Sequence, residues 1–434
     1  MSNPIHSTSA KSVLPMLAMR GLATGLCAGC VVGLLRLSHD RAAARVALWM
    51  EEWREVWWTV PIWFGVLVAL AVILRRIVRE EPLISGSGIP QTELALAGRL
   101  SFTWWRVLLA KFLGSWLALF GGLALGREGP SIQMGGAVGA GFHALWRPAA
   151  PHALTGSPYV VAGAVAGLAA AFGAPAAGVL FAFEEMKSRR ETSLIVAACA
   201  SAIGAHLMIR IVFGMGRILP FAGFEAPPLS SFWIVALEGA VFGVLGVGYN
   251  KTLLWLHDRE AGQTLIPDRW RALPPLLLAG CLALFAPLLI GGGESLIIFV
   301  GEHDVALKTL ILLLAFKYLF AQYSTVAAIP GGLLMPILCL GALWGRLWAE
   351  LPVSALAAHG LASGSVQPYV LFGMVSYFAA TVRAPLTGIV LVTEMSGTYT
   401  CLPGSLLAGL IACKVANLLH CPPVYDSLKE RIRL

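Results

Sequence analysis

Two adjacent charged residues lie inside an apolar part of the chain. Arg127 and Glu128 belong to the sequence LALGREGPSI, which joins two hydrophobic stretches and also contains Gly126, Gly129 and Pro130. An ionisable residue at membrane depth costs about 2.5–3.5 kcal/mol on insertion scales and usually has a function. Glycine and proline interrupt helices, but both suit a helix start that lies close to a ligand. The segment therefore predicts a helix N-terminus with a carboxylate beside it.

Three segments share this combination of a glycine-bearing turn, a proline and a following apolar run. They are GSGIP at 86–90, GREGP at 126–130 and GGLLMP at 331–336. A helix N-terminus has unpaired N–H groups and about half a positive charge, and lipid offers these groups no partner. An anion is the natural ligand, and binding without a full positive charge lets the anion leave again. We therefore predict an anion site between three helix ends.

A carboxylate beside an anion site can compete with the anion for the same place. Ionised Glu128 would occupy the site and protonated Glu128 would vacate it, which would make this residue a proton-linked gate. The alternative is that Glu128 caps its helix and pairs with Arg127, so that its role is to stabilise the loop.

The composition is that of a membrane protein. The chain has 434 residues, of which 58% are hydrophobic and 12% are charged, whereas soluble domains have about 25% charged residues. Several apolar runs approach the roughly 20 residues that a membrane-spanning helix needs. The clearest are Val60–Leu74, Val107–Leu125, Val160–Phe183, Leu194–Phe213, Phe232–Leu256 and Leu402–Leu419. Because the alternating strands of a membrane barrel are missing from the pattern, we predict an all-α polytopic membrane protein.

The net charge of +8 fits a membrane topology better than nucleic-acid binding. Basic clusters that follow apolar runs usually mark cytoplasmic loops, and two such clusters are Arg75, Arg76 and Arg79, and Lys187, Arg189 and Arg190. Cys27 and Cys30 have CxxC spacing, but inside an apolar helix we expect them to be packing residues. Histidine spacing typical of metal sites and phosphate-loop motifs do not occur. We therefore expect no metal, no cofactor, no nucleic-acid partner and no enzymatic activity.

The chain also resembles itself. Five residues recur 206 positions later with the same identity: Lys111, Gly126, Pro130, Gly135 and Gly139. Four more recur 210 positions later: Ala174, Pro175, Gly178 and Glu184, the last of which matches Glu394. We predict one transmembrane domain over residues 1–434, built from halves at about 15–220 and 230–420. Transporters often bind their substrate at the interface of such repeats, although the repeat alone leaves the relative orientation of the halves open.

Taken together, these motifs resemble the CLC family of chloride channels and proton-coupled chloride antiporters. GSGIP, GREGP and PGGLLMP occur in that family's order, and AAAFGAPAAGVLFAFEEM at 169–186 and PPVYDS at 422–427 also match its pattern. The resemblance covers residues 60 to 430. It implies a CLC-type fold of two inverted repeats with broken and tilted helices, and a homodimer with two independent pores. From the size of the chain we expect a multi-pass protein of a bacterial inner membrane, with no cytoplasmic regulatory domain after the last helix.

The resemblance implies roles for individual residues. The anion site would consist of Ser87, Gly88, Ile89, Leu333, Leu334 and Tyr425, with Leu333 and Leu334 contributing backbone N–H groups. Glu128 would be the gating glutamate within the loop of Gly126, Arg127, Gly129 and Pro130. Glu185 would be the internal proton-transfer glutamate, Glu184 its helper, and Glu93 and Lys111 a buried structural pair. Leu334 stands where the family often has phenylalanine, so we expect a changed pore lining and retained binding.

Several residues keep an alternative interpretation. Ser87 could simply cap its helix, and Tyr425 could be an aromatic residue of the membrane interface. Glu185 could be a surface ion-pair partner of the basic residues that follow it. Glu394, the repeat counterpart of Glu184, is expected to make a structural hydrogen bond, and Glu238 has no explanation.

The function that these features favour is exchange of chloride for protons. The first alternative is a passive chloride channel on the same fold, which Glu185 argues against, because channels of this family usually lack that acid. A second is an antiporter for another monovalent anion such as nitrate or fluoride, although Ser87 favours chloride. An intramembrane enzyme or a receptor is a third class, but no nucleophile–base or metal constellation supports it.

Overall fold

The computed structural model describes residues 5–53, 56, 58–150, 152–188, 191–221, 224, 226–358 and 366–432. Within these ranges, side chains are described from residue 14 onward, except those of residues 47, 50–53, 357 and 358. Arg189 and Arg190, which the sequence pattern assigns to a basic cluster, lie outside the described residues.

The described chain is helical. Its first half contains α1 Ile5–Trp53, α2 Thr59–Glu80, α3 Ile89–Leu96, α4 Trp104–Phe120, α5 Glu128–Trp146, α6 Pro158–Phe172, α7 Pro175–Glu184 and α8 Thr192–Leu207. Its second half contains α9 Phe232–Gly262, α10 Leu273–Phe285, α11 Glu294–Glu302, α12 Leu307–Val326, α13 Leu334–Trp348, α14 Ser354–Ala358, α15 Gln367–Val382, α16 Pro385–Ser396, α17 Leu402–Leu418 and α18 Val424–Glu430. Within the described ranges no strand occurs, and the predicted all-α class is confirmed.

Seven helical segments of the described chain are long and apolar enough to cross a bilayer. The run predicted at Val160–Phe183 is divided between two helices. α6 ends at Phe172, the next residue, Gly173, has a left-handed backbone with φ +67°, and α7 begins at Pro175. The same break recurs between α15 and α16, where Arg383 has φ +70° and Pro385 begins the next helix. The two helix breaks are therefore equivalent, at the offset of 210 that the repeat predicts.

Equivalent helices pack against one another in both halves. α5 packs on α6 and α13 on α15, while α1 packs on α8 and α9 on α17. Glycines make these contacts possible, because an added Cβ on Gly135 would collide with the carbonyl of Gly163, and one on Gly341 would lie 2.6 Å from the carbonyl oxygen of Gly373. Small residues at such positions let membrane helices approach closely. α6 and α15 are buried almost along their whole length and form the centre of the molecule.

The halves meet at the starts of α5 and α13. Gly126 N–H donates to Gly332 O at 2.7 Å, and Gly332 N–H donates to Gly126 O at 2.6 Å. These two glycines are equivalent in the repeat, and the bridge between them is antiparallel. A reciprocal pair of this kind brings the N-terminal ends of α5 and α13 to one place.

Candidate anion and proton site

Three helix starts converge near the middle of the molecule. Gly88, with a left-handed φ of +89°, precedes α3. An added Cβ on Gly129, in the first turn of α5, would lie 2.8 Å from both Ser87 Cβ and Ser87 O. An added Cβ on Gly332, just before α13, would lie 2.9 Å from Gly129 N. The structure therefore brings together the three predicted segments, and glycine is required where their backbones touch.

Lys111 braces the loop before α3 through backbone carbonyls. Its Nζ donates to Ile84 O at 2.8 Å and to Gly86 O at 2.7 Å. In the second half, the equivalent Lys317 donates to Leu289 O at 2.9 Å and to Gly291 O at 2.7 Å. Each buried ammonium thus fixes the loop that leads into a short helix.

The expected structural pair of Glu93 and Lys111 is wrong. Glu93 accepts instead from Lys429 at 2.6 Å, across α3 and α18, while Lys111 is used by the carbonyls. The repeat contains a signal for this outcome. Around α3 and α11 the offset between the halves is 205, because Gly86 and Gly88 match Gly291 and Gly293. Ile298 is then the residue equivalent to Glu93, yet Lys317 is retained, so this lysine position does not depend on a carboxylate.

Glu128 is buried between the starts of α5 and α13. Its side chain has no solvent exposure, and an added Cβ on Gly126 would collide with its Oε2. Neither carboxylate oxygen makes a hydrogen bond of normal geometry to the described residues, although the backbone N–H groups of Glu128 and Met335 interact with it. The carboxylate therefore occupies the kind of position that helix N-termini offer to an anion.

Arg127 is paired with two acids that sequence reasoning missed. Its Nη1 lies 3.0 Å from Asp40 Oδ1 on α1, and its Nη2 lies 2.8 Å from Glu294 Oε1 on α11. The guanidinium thus has carboxylate partners other than Glu128, and a cap held by an Arg127–Glu128 pair is not what the structure contains. Asp40 and Glu294 are far from Arg127 in sequence, so only the fold reveals them.

A cavity leads to Glu128 from the side of α1 and α11. It has a volume of about 620 Å³, and its lining includes His39, Asp40, Arg127, Glu128, Glu294 and Met335. The cavity connects the buried carboxylate to the charged residues at its mouth, and we call it the vestibule.

Tyr425 and Ser87 are not among the residues that line the vestibule. Tyr425 is fully buried, its hydroxyl makes no hydrogen bond to the described residues, and it interacts electrostatically with both Glu185 and Glu128. This burial is unlike that of an interfacial aromatic residue. Ser87 Oγ accepts from the Ile89 N–H at 3.3 Å, so it also takes part in starting α3.

Glu185 lies at the end of α7 beside a cluster of charged residues. It is 5% exposed and interacts electrostatically with Glu93, Asp426, Lys187 and Lys429. Lys187 itself donates to Asp426 at 2.7 Å, and Lys429 to Asp426 at 2.9 Å. Burial disfavours ionisation of Asp426, but these two hydrogen bonds outweigh it and lower the pKa of that carboxyl. The nearest described lysine after Glu185 is therefore engaged with another acid.

Glu184 on α7 caps the start of α16, and Glu394 on α16 caps the start of α7. Glu184 accepts from Leu386 N–H at 3.0 Å and Thr387 N–H at 2.7 Å, at the start of α16. Glu394 accepts from the N–H groups of Ala176 and Ala177 at 3.2 and 2.9 Å, at the start of α7. The structural hydrogen bond expected for Glu394 is confirmed. Glu184 makes the equivalent contacts in the same order, and it accepts an additional hydrogen bond from the Thr387 hydroxyl at 2.8 Å.

Glu238 remains without a role. Its side chain is fully buried in α9, and neither of its oxygens has a hydrogen-bond partner among the described residues. Within the same described ranges, no group of three or more histidine, cysteine, aspartate or glutamate residues could hold a metal ion.

Known proteins place this arrangement in a family. The family model described as voltage gated chloride channel matches residues 64–417. The chain belongs to the CLC family. The fold is accordingly the CLC-type fold, in a multi-pass integral membrane protein.

Among CLC relatives, the chain is 35% identical over 416 residues to the H⁺/Cl⁻ exchange transporter ClcA of Vibrio campbellii, covering 93% of this chain and 87% of that protein. It is 31% identical over 428 residues to the ClcA of Klebsiella pneumoniae, covering 97% and 89%. Among solved CLC structures, a slow cyanobacterial Cl⁻/H⁺ antiporter superposes with a TM-score of 0.86 at 28% identity, covering 95% of this chain and 97% of that one. A CLC-type fluoride/proton antiporter superposes with a TM-score of 0.69 at 18% identity, covering 98% and 99%, which is a likeness of fold.

Proposed function

We propose that this chain exchanges chloride for protons across the membrane, with Glu128 as the gate. The observation that carries the proposal is the buried, hydrogen-bond-poor carboxylate of Glu128, which lies between two helix starts at the end of the vestibule. A carboxylate in that place excludes an anion when it is ionised. Once protonated, it loses its attraction to the helix ends and leaves a place for chloride.

The anion path continues inward from Glu128. Ser87, the backbone N–H groups of Ile89, Leu333 and Leu334, and the hydroxyl of Tyr425 are the proposed chloride donors. Gly88 is the turn that aims the α3 start at this place. Tyr425 supports the proposal because its buried hydroxyl has no partner among the described residues, and chloride would supply one.

The proton takes a second route on the inner side. Glu185 is buried next to the charged cluster of Asp426 and Lys429 and, like Glu128, it interacts electrostatically with Tyr425. We propose that protons reach Glu128 from Glu185 with water bridging the gap. Glu184 is held by three hydrogen bonds, which supports a role in fixing the end of α7 and thereby the position of Glu185. Because the exchange moves net charge, voltage contributes about 2.3 kcal/mol per charge per 100 mV.

The sidedness follows from the basic residues. Arg75, Arg76 and Arg79 end α2, and such clusters mark the cytoplasmic face. The vestibule lies toward the other end, so we assign it to the outer face and Glu185 to the inner one. The relatives named as H⁺/Cl⁻ exchangers support chloride and protons as the transported ions.

The gate is tested with purified protein in liposomes, where chloride and proton fluxes are measured together. Glu128→Gln removes the titratable group and keeps its size. We expect proton flux to fall below detection while chloride still passes. Glu238→Gln is the matched control, because it neutralises a second fully buried carboxyl outside the proposed path and should leave coupling intact. Proton movement that persists in Glu128→Gln would refute the gate.

The inner acid is tested in the same assay. Glu185→Gln should abolish proton flux and leave chloride flux, since the internal proton donor is lost while the anion path is unchanged. Glu430→Gln, at the end of α18, neutralises an exposed acid and should have no effect. Unchanged coupling in Glu185→Gln would remove this residue from the proton route.

The rival function is a passive chloride channel on the same fold. The reversal potential under a pH gradient separates the two, because an exchanger's potential moves with pH and a channel's does not. Replacing chloride with nitrate or fluoride in the flux assay tests the other anions. The homodimer is also a proposal, and the mass of the purified protein in detergent tests it.

A further inference from the structure

The charged residues that line the vestibule have no assigned role in the proposed function. Two acids on different helices hold one buried arginine there. Arg127 is 4% exposed, whereas the side chains of Asp40 and Glu294 are 52% and 33% exposed. Arg127 directly precedes Glu128 in sequence. If the acids neutralise less of the Arg127 charge, the electrostatic potential at the proposed gate therefore changes.

The positive and negative side chains around Glu128 are equal in number. From α1, Arg36 is a second buried cation, which donates to Ala170 O at 2.8 Å, and His39 and Asp40 also face the cavity. From α11, Glu294 adds the second acid. Tyr425 approaches from the inner side. Two arginines are thus balanced by two acids at the outer end, apart from Glu128 itself.

Glu294 is an acid at a position where the first half of the chain has an apolar residue. It is the first residue of α11, after Gly293 with a left-handed φ of +106°, and it corresponds to the apolar Ile89 of the first half. A carboxylate at a helix start is favoured by the helix dipole, and here it is also 2.8 Å from Arg127. Both the helix start and the guanidinium therefore interact favourably with the Glu294 carboxylate in the cavity wall.

We propose that Glu294, with Asp40 beside it, is a positioning residue of the transport cycle that acts through Arg127. By neutralising Arg127, it sets how readily Glu128 takes a proton and how strongly the vestibule attracts chloride. The inference rests on the proposed function, because it assumes that Glu128 is the group that must be protonated.

The sign of the effect follows from the charges. Without the Glu294 charge, Arg127 is less compensated and the potential around Glu128 becomes more positive. A positive potential opposes proton uptake and favours chloride entry. Protonation of the gate then needs a lower pH, while chloride is bound at a lower concentration. If the ion pair were only structural, its loss would lower the amount of folded protein. It would change neither the pH at which the gate is protonated nor the chloride concentration needed for binding.

The test is the pH profile and the chloride KM of transport in liposomes, measured for Glu294→Gln. The midpoint of the pH dependence should move to lower pH by roughly 0.5 to 1 unit, the size expected for one charge near the gate at an effective dielectric constant of about 20. The chloride KM is measured at a pH well below both midpoints, where Glu128 is protonated and does not compete with chloride. Under that condition it should fall roughly two- to threefold, consistent with steering by local charge. The measurement is repeated in a Glu185→Gln background, where Glu128 is the remaining acid of the proposed proton route.

Two further variants separate this effect from general surface charge and from misfolding. Glu302→Gln neutralises an exposed acid at the far end of the same helix and should shift neither quantity. Glu294→Asp keeps the charge and should restore most of the wild-type profile. An unshifted midpoint and KM in folded Glu294→Gln, or an equal shift in Glu302→Gln, overturns the inference. Wild-type protein that moves chloride without protons overturns the exchanger instead, and the KM comparison still tests the role of Glu294.

Discussion

Equivalent residues in the two halves of the chain fall into two groups. The residues of the first group are identical in both halves and make identical contacts. Lys111 and Lys317 each hold two backbone carbonyls, and Glu184 and Glu394 each cap a helix of the other half. Together with the glycines at the helix contacts, these residues build the scaffold.

The second group differs between the halves and coincides with the proposed transport residues. The equivalent pairs are Glu128 and Leu334, Arg127 and Leu333, Ser87 and Gly292, and Glu185 and Met395. Both halves therefore supply a helix start to the same place, but only the first half brings an acid to it. The symmetric scaffold produces the convergent dipoles, and the asymmetric substitutions give the site a single gate.

The strongest test of the shared scaffold is to remove one lysine from each half. Lys111→Met keeps the length of the side chain but removes two hydrogen bonds from a charged donor, each worth about 1.5–3 kcal/mol. It leaves Ile84 O unpaired, whereas Gly86 O keeps the hydrogen bond from Gly331 N–H. We expect a loss of roughly 3–6 kcal/mol in stability, and Lys317→Met should lose a similar amount. The thermal midpoint in detergent and the monodisperse fraction measure it. Lys308→Met, at an exposed position of α12, is the control. A large effect in only one of the two variants would contradict an equal role of both halves.

The elements that the sequence predicts well are those determined by neighbouring residues. The three helix starts at Gly88, Gly126 and Gly332 follow from local Gly–Pro chemistry, and the helix break at Gly173 has a local cause as well. A glycine or proline acts on its own turn of backbone, so its effect is visible in a short stretch of sequence.

Partners of charged residues could not be predicted in the same way. Arg127 pairs with Asp40 and Glu294, and Glu93 pairs with Lys429. Each pair joins helices that lie far apart in the chain. A buried charge requires a partner, but which residue supplies it depends on how the helices pack. Comparison of the halves would have helped, since Lys317 without an acidic neighbour already indicates carbonyl partners for Lys111.

We expect a smaller loss of stability when the helix caps formed by Glu184 and Glu394 are removed. These variants also test whether one of the two caps has a role in transport. Glu184→Gln and Glu394→Gln each weaken hydrogen bonds to a helix start, which costs about 1–2 kcal/mol. Equal losses in thermal stability would confirm the shared structural role. Proton coupling distinguishes the pair, because only Glu184 adjoins the proposed proton donor. Reduced coupling in Glu184→Gln alone would add a transport role, whereas equal coupling in both variants would restrict Glu184 to capping.

We expect the smallest effect from removing the hydroxyl of Ser87, whose equivalent in the second half is Gly292. Ser87→Ala removes one neutral donor from the proposed chloride site, and a hydrogen bond of this kind is worth about 1 kcal/mol. Chloride affinity measured by calorimetry should therefore fall roughly fivefold, with a similar loss for Tyr425→Phe. Ser376→Ala removes a buried hydroxyl from α15 that also has no partner among the described residues, and it should leave chloride binding unchanged. If Ser87→Ala binds chloride as tightly as the wild type, the backbone N–H groups alone hold the anion, and the two halves would contribute to it in the same way.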